Sequence, residues 1–233
     1  MSIFSIFHKD KKDTVSNNPA EIQNIQTPIR NSRILVISDI HYLLTAEEER
    51  VFSEDFDQCW ILGDINSQII NILMYSAKYP VYAVLGNHDS YNRFSLKENS
   101  LVPNNVKIEN INGKLINEKE FTLTGIGGSS KYKEDNNFCM ISQDESIKLL
   151  QNMKKADILI SHDSPFNIHS QDKNKEGLKG ITEYIAKYQP KLHIYGHHHQ
   201  LRSYKIDDTL CICNFRLGII EKNGIYHNIP SIP

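Results

Sequence analysis

Hydrophobic positions along this chain fall into short continuous runs, and five of those runs stop at the same kinds of polar residue. Residues 33–38 (RILVIS) lead into Asp39-Ile40-His41, residues 59–62 (CWIL) into Gly63-Asp64, and residues 81–85 (VYAVL) into Gly86-Asn87-His88-Asp89. Further on, residues 157–161 (DILIS) lead into His162, and residues 192–195 (LHIY) lead into Gly196-His197-His198-His199. A short apolar run bounded by turn residues reads as a buried strand. In open α/β sheets ligands bind beyond the carboxyl ends of the strands, so five such ends carrying Asp, Asn and His predict one shared site.

Helical patterns lie between the runs. Thr45-Ala46-Glu47-Glu48 has the form of a capping box and predicts a short helix with Val51 and Phe52 on its buried face. Residues 68–77 (QIINILMYSA), 143–154 and 178–187 predict three more helices, the first ending before Pro80 and the last closed by Pro190. Residues 106–116 and 120–126 read as strands, as do 201–206, 210–215 and 217–221 late in the chain. The alternation predicts a layered α/β domain. The late strands, which have no helices between them, are more than one parallel sheet accommodates. The stretch Gly125-Ile126-Gly127-Gly128-Ser129-Ser130 lacks both the Gly-Lys-Ser/Thr ending of a phosphate loop and the full dinucleotide fingerprint, and reads as a glycine turn after a strand.

Composition narrows the class. A chain of 233 residues with 39% hydrophobic and 23% charged positions can bury one core. The expected organisation is a flexible N-terminal extension, residues 1–30, followed by a single domain over residues 31–233. Residues 1–7 (MSIFSIF) are apolar, but they are shorter than a signal-peptide core and no basic region precedes them. A sharper reading has Ile3, Phe4, Ile6 and Phe7 docking on a partner or membrane surface. No stretch approaches the length of a membrane span. A formal net charge of −2, with both signs interspersed, gives no basic excess, so no stable nucleic-acid binding is expected. Cys59, Cys139, Cys211 and Cys213 are scattered in a chain too large to need disulfide staples; they are expected to be reduced, which points to a cytoplasmic location. Alternation on a strand accounts for Cys211-Ile212-Cys213 better than a zinc knuckle does.

The strand ends carry the chemistry. Asp39 and His41, two apart on extended backbone, point to one side. Asp64 offers two carboxylate oxygens and is the natural bridge between two cations. Asn87 supplies a carbonyl oxygen, and His162, His197 and His199 supply imidazole nitrogens. Oxygen and nitrogen donors without thiolate suit Mn, Fe, Zn or Ni better than Ca or Mg. Seven such groups suffice for two divalent ions sharing Asp64, and two carboxylates leave that pair a formal charge of about +2, which attracts a phosphate. A two-metal site lowers the pKa of a shared water and clamps both the attacking and the leaving oxygen. His88 sits beside Asn87 but faces the other way on extended backbone, free to protonate a leaving group, and Asp89 is placed to hold its second nitrogen in the productive tautomer. Any one of these residues alone is explained as a capped turn or a satisfied polar group. Five groups in order at strand ends are not. His8, His169, His193 and His227 lack such a context and read as structural or exposed, while Arg93 is a phosphate contact or an ordinary solvated arginine.

These blocks resemble the calcineurin-like metallophosphoesterase superfamily, whose pattern is D-x-H, G-D, G-N-H-D/E, an isolated His after a strand, and G-H-x-H. The resemblance runs in the family's order from about residue 33 to the end. It implies a fold of two mixed β-sheets packed as a sandwich between helices, which places the late strands. It implies one metal held by Asp39, His41, Asp64 and His199, a second by Asp64, Asn87, His162 and His197, and His88 as the leaving-group acid. Gly63-Asp64 is followed by Ile65-Asn66-Ser67 instead of the Asp-Arg-Gly of phosphoprotein phosphatases, and Asp89 stands where those enzymes usually carry Glu. Both departures lean toward the small phosphodiesterase-like branch. His198 occupies a place where the family often has a small or hydroxylated residue; it reads as a support behind the ligands, as outward-facing, or as a substrate contact. The expected activity is metal-dependent hydrolysis of a phosphodiester such as a cyclic or oligomeric nucleotide, with Mn the expected metal. A phosphomonoesterase acting on a nucleotide or sugar phosphate shares the same core, and a scaffold that has lost catalysis is the non-enzymatic alternative. Substrate choice is expected in residues 90–103 and 164–179.

Overall fold

The structure, a computed structural model, describes residues 24–89, 108–133, 139–169 and 176–229. Strands β1 (Ile25–Gln26), β2 (Ile34–Ser38), β3 (Gln58–Ile61), β4 (Val81–Ala83) and β5 (Ile108–Asn110) belong to one sheet, with β14 (Arg216–Ile220) and β15 (Ile225–Asn228). Its order is β1-β15-β14-β2-β3-β4-β5. The run from β2 to β5 is parallel, and β14 joins it antiparallel along β2. The second sheet contains β6 (Leu115–Asn117), β7 (Thr122–Ile126), β10 (Ile158–Ser161), β11 (Leu192–Tyr195), β12 (Arg202–Ile206) and β13 (Thr209–Cys213), in the order β12-β13-β11-β10-β7-β6. Its four central strands are parallel and its edges antiparallel. A small ladder of β8 (Ser129–Ser130) and β9 (Met140–Ile141) lies apart.

Side-chain alternation assembles the layers. Ile34 and Val36 of β2 pack with Trp60, Ile158, Ile160, Ile194 and Ile212 between the two sheets. Leu35 and Ile37 of the same strand face the other way, toward α1 (Ala46–Val51) and α2 (Ser67–Ser76), with Val51, Ile69 and Leu73. Period-two alternation thus feeds two separate cores, which is why the run RILVIS carries no polar break before Ser38. On the far side, α3 (Gln143–Gln151) and α4 (Lys179–Tyr188) cover the second sheet through Leu150, Ile181, Tyr184 and Ile185, packed on Leu159, Tyr195 and Cys211. Helix, sheet, sheet, helix is the resulting order of layers.

Most predicted elements lie close to their expected places, and the capping box of Thr45 with Glu48 is formed in both directions. Three differences are instructive. Residues 106–116, read as one strand, are two: β5 ends at Asn110, Gly113 takes φ +72°, and the chain crosses to the second sheet as β6. An Asn-Gly pair inside an apolar pattern is a turn, and here it changes sheets. Residues 24–30, assigned from sequence to the extension, are part of the packed structure. Ile25 and Gln26 pair with β15, Ile29 is 2% exposed, and the Thr27 hydroxyl donates to Gly224 O at 2.8 Å. Strand β15 was not anticipated, because Ile225-Tyr226-His227-Asn228 is short and polar. Residues 1–23, with the apolar segment 1–7, and Arg93 with the rest of residues 90–103 lie outside the described residues. The four cysteines are buried and free.

Candidate metal centre

The parallel strands of both sheets end on one rim. Asp39 and His41 follow β2, Asp64 follows β3 and Asn87 follows β4, all in the first sheet; His162 follows β10 and His197 and His199 follow β11, in the second. The site therefore straddles the seam between sheets. Four of these residues, Asp39, Asp64, His197 and His199, have φ between 51° and 68°, the left-handed region. Asp and His tolerate that region better than most residues, and its recurrence at strand ends marks a backbone held in place for the side chains it aims.

Glycine makes the approach possible. A Cβ on Gly86 would stand 2.0 Å from Asp64 Oδ1, and one on Gly63, at φ +88°, would stand 2.3 Å from Gly86 N. Only bare backbone fits between the β3 and β4 ends, so the two glycines are steric requirements of the Asp64 position.

Two groups of donor atoms result, each within 4.8 Å: Asp39, His41 and His199, and Asp39, Asp64 and His162. His199 Nε2 lies 3.5 Å from Asp39 Oδ1, and His162 Nε2 lies 3.4 Å from Asp64 Oδ2 and 2.9 Å from Asn87 Oδ1. The His197 ring is 4.9 Å from that of His162, centroid to centroid. The structure brings all seven expected residues to one place. Asp39, rather than Asp64, is the carboxylate common to both groups; Asp64 Oδ1 accepts the His88 backbone N–H at 2.8 Å.

The donor set fits divalent cations on two observations. Asp39 Oδ1 is buried with no hydrogen-bond partner, a costly state that a cation relieves. The His162 Nδ1–H donates to Leu62 O at 2.7 Å, which leaves Nε2 a lone pair aimed at the oxygens of Asn87 and Asp64. Three lone-pair donors thus face one another, an arrangement that repels unless positive charge sits among them. Where a cation does not supply that charge, a proton on His162 Nε2 does. Burial opposes charge on both, yet His162 and Asp64 hold each other ionised, the imidazole pKa moving up and the carboxyl falling well below the usual range. Asp64, His162, Asn87 and His197 form the buried side of the centre, whereas His199 and His88 face solvent.

His88 sits at the open side, its ring 5.5 Å from His41 and edge-on to it. The expected support from Asp89 is not found there. Asp89 turns inward, 2% exposed, and its Oδ2 accepts the backbone N–H groups of Gly86 and Asp64 at 2.8 and 2.9 Å. No hydrogen bond among the described residues joins it to the His88 ring, because two orphan amides of the β3 and β4 ends claim the carboxylate first. Asp89 is a brace that ties the two loops together.

Comparison with known families agrees with this geometry. The calcineurin-like phosphoesterase superfamily domain matches residues 33–214, most of the chain. The chain belongs to that superfamily. Its members generally hydrolyse phosphoesters and use divalent metals. Among solved structures, TT1561 of Thermus thermophilus aligns at TM-score 0.60 and 14% identity, over 85% of this chain and 99% of its own. An archaeal phosphodiesterase aligns at TM-score 0.50 and 16% identity, over 84% and 98%. A 5'-nucleotidase from Candida albicans aligns at TM-score 0.50 and 13% identity, over 84% of this chain and 48% of its own. At these identities the likeness is one of fold, the metallophosphoesterase sandwich. No curated protein matches the chain.

Two residues at the site of this calcineurin-like domain had not been singled out. Asp163, fully buried, accepts the N–H groups of Ser130 and Ser164 at 2.8 Å each, and its Oδ1 lies 3.5 Å from His198 Nε2. The His198 side chain is thus turned inward, 3% exposed, and stacks on His169 at 3.6 Å between centroids. A charged residue directly after the buried run DILISH was the signal in the sequence. Tyr132 is the other: its hydroxyl accepts from Asn87 Nδ2 at 3.4 Å. Nothing in the chain around it marks that contact.

Proposed function

We propose that the protein is a dinuclear-metal-dependent phosphoesterase acting on a phosphodiester of nucleotide-like character, with Mn as the working metal. The observation that supports this most is the pair of donor groups meeting at buried Asp39 beside a solvent-facing His88. Asp39, His41, Asp64 and His199 would hold one cation, and Asp64, Asn87, His162 and His197 the other. When bound, the two ions supply a hydroxide nucleophile near neutral pH and offset charge on the phosphoryl oxygens. The chain itself performs the rest. The backbone amides on Asp89 fix the Asp64 and Asn87 loops, so the two donors keep their spacing through turnover. His162 is held in one tautomer by Leu62 O. The His88 imidazole donates its proton to the departing alkoxide, while its backbone N–H on Asp64 anchors the residue. All seven ligand positions and the acid are present, and this favours catalysis over a scaffold role.

The test is a panel of substrates for the Mn-loaded protein: bis-p-nitrophenyl phosphate, p-nitrophenyl phosphate, cyclic nucleotides, dinucleotides and nucleoside monophosphates, ranked by kcat/KM. Diesters should lead. A lead for monoesters would move the assignment to a phosphomonoesterase, and a protein that binds Mn but cleaves none of them would be a scaffold.

A further inference from the structure

Beyond the metal centre the most informative feature is the segment that carries Tyr132. Its backbone is tied to both halves of the site: Gly128 N–H donates to Leu85 O at 2.7 Å, just before Asn87, and Ser130 N–H donates to Asp163 Oδ2 at 2.8 Å, just after His162. Lys131 N–H donates to Ile141 O at 3.0 Å, closing the ladder with β9. Tyr132 is therefore delivered to the rim, 40% exposed, with its hydroxyl on the Asn87 amide. Tyr132 also lines a cavity of about 400 Å³, together with Lys131, Lys133, Ser142, Gln143 and Glu176. The floor is rigid, for the Gln143 amide is bound at both ends, donating to Gly177 O at 2.9 Å and accepting from Lys179 N at 2.8 Å.

The chemistry of that cavity is specific. A volume of this size lies within the range of small-ligand pockets, roughly 300–1,000 Å³. One aromatic ring with two lysines is the combination that holds a base by stacking and a phosphate by charge. Lys133 Nζ lies over the Tyr132 ring, 5.8 Å from its centre, so charge and aromatic surface are held together. Glu176, also in the lining, disfavours a densely charged polyphosphate and can accept from a sugar hydroxyl or base amine.

We infer that this cavity is a nucleotide subsite, in which Tyr132 stacks the base and Lys131 and Lys133 hold the second phosphate of a small phosphodiester whose scissile phosphate lies at the metal centre. The inference rests on the phosphoesterase reading and names the substrate class it serves. The experiment compares kcat/KM for the 5'-phosphorylated dinucleotide pApA and for bis-p-nitrophenyl phosphate, which has neither base nor second phosphate. Tyr132→Ala should lower the value for pApA about tenfold more than for the nitrophenyl diester, mainly through KM, as expected for loss of one stacked base. Tyr132→Phe, which keeps the ring, should restore most of the preference. Combined Lys131→Ala and Lys133→Ala should also cost pApA about tenfold more. Equal losses on both substrates, no loss on either, or wild-type preference for a long single-stranded oligonucleotide over pApA would overturn the subsite. Calorimetric binding of pApA to the Mn-loaded protein separates this inference from the activity it rests on. Binding without cleavage that Tyr132→Ala weakens about tenfold keeps the subsite and removes the activity, whereas absence of pApA binding by the wild type removes the subsite.

Discussion

Asp39→Asn separates the metal centre from the fold that carries it. Asp39 Oδ2 accepts the His197 N–H at 2.9 Å, while Oδ1 is buried without a donor and lies 3.5 Å from His199 Nε2. Asparagine keeps the first contact through its carbonyl and turns its amide toward the His199 nitrogen, which can accept. No buried acceptor is then left unpaired, so the metal-free variant should be as stable as the wild type or more stable by about 1 kcal/mol. Metal stabilisation should move the other way. A cation at 100 times its Kd stabilises the native state by about 2.7 kcal/mol. For a domain of this size each kcal/mol is worth roughly 2–4 °C, so Mn should raise the wild-type Tm by about 5–11 °C. Asp39 lies in both donor groups and would ligate one of the two cations directly, so its loss should remove at least about half of that rise. Thermal melts of both proteins in EDTA and in Mn decide the matter. A full Mn shift in the variant would refute the ligand role, and a metal-free variant that melts well below wild type would refute the account of Oδ1.

Asp64→Asn should abolish metal-dependent turnover because a charged ligand oxygen is lost between the two groups; retained turnover with two Mn bound, measured by metal analysis and assay together, would contradict its place in the centre. His88→Ala should slow cleavage of an alkyl ester at least about tenfold more than cleavage of a nitrophenyl ester, since nitrophenolate scarcely needs a proton; equal losses would count against the acid. Glu48→Gln tests a pair remote from the chemistry, for Glu48 is buried in the α1 cap and Arg216 holds it through Nη2 at 2.6 Å. Breaking such a pair costs about 3 kcal/mol. Burial alone would raise the Glu48 pKa, but Arg216 and the Thr45 cap together outweigh it, and the carboxyl titrates below its ordinary value. Its stabilisation is therefore complete above the ordinary carboxylate range and is lost as pH falls through the lowered folded value, so the gap between wild-type and variant Tm should close at acid pH. A gap that widens toward acid would reverse the sign of this argument.

What was legible in the sequence and what was not follow from the range of the forces involved. Strands such as RILVIS and LHIY, buried on both faces, write themselves as unbroken apolar runs, and the residue after each run is set by local geometry. That is why Asp39, Asp64, Asn87, His162 and His197 could be read off together. The Asn112-Gly113 sheet change was written in turn chemistry but hidden inside an apolar pattern. Strand β1 was not legible, since Ile25-Gln26 is a strand only because β15, close to the far end of the chain, offers it an edge with Gln26 opposite Ile225. The same holds for function. Asp89 was given to His88 on adjacency, yet its carboxylate serves the amides of Gly86 and Asp64, and only the packed β3 and β4 ends create that demand. Tyr132 reaches Asn87 across 45 residues because Gly128 and Ser130 are fastened to Leu85 and Asp163. Ligands at strand ends are dictated by short-range pattern, whereas the groups that brace them and face the substrate are placed by long-range backbone pairing. If the proposed subsite is correct, specificity rests with residues such as Tyr132 and Lys133, which the metal motifs leave unmarked.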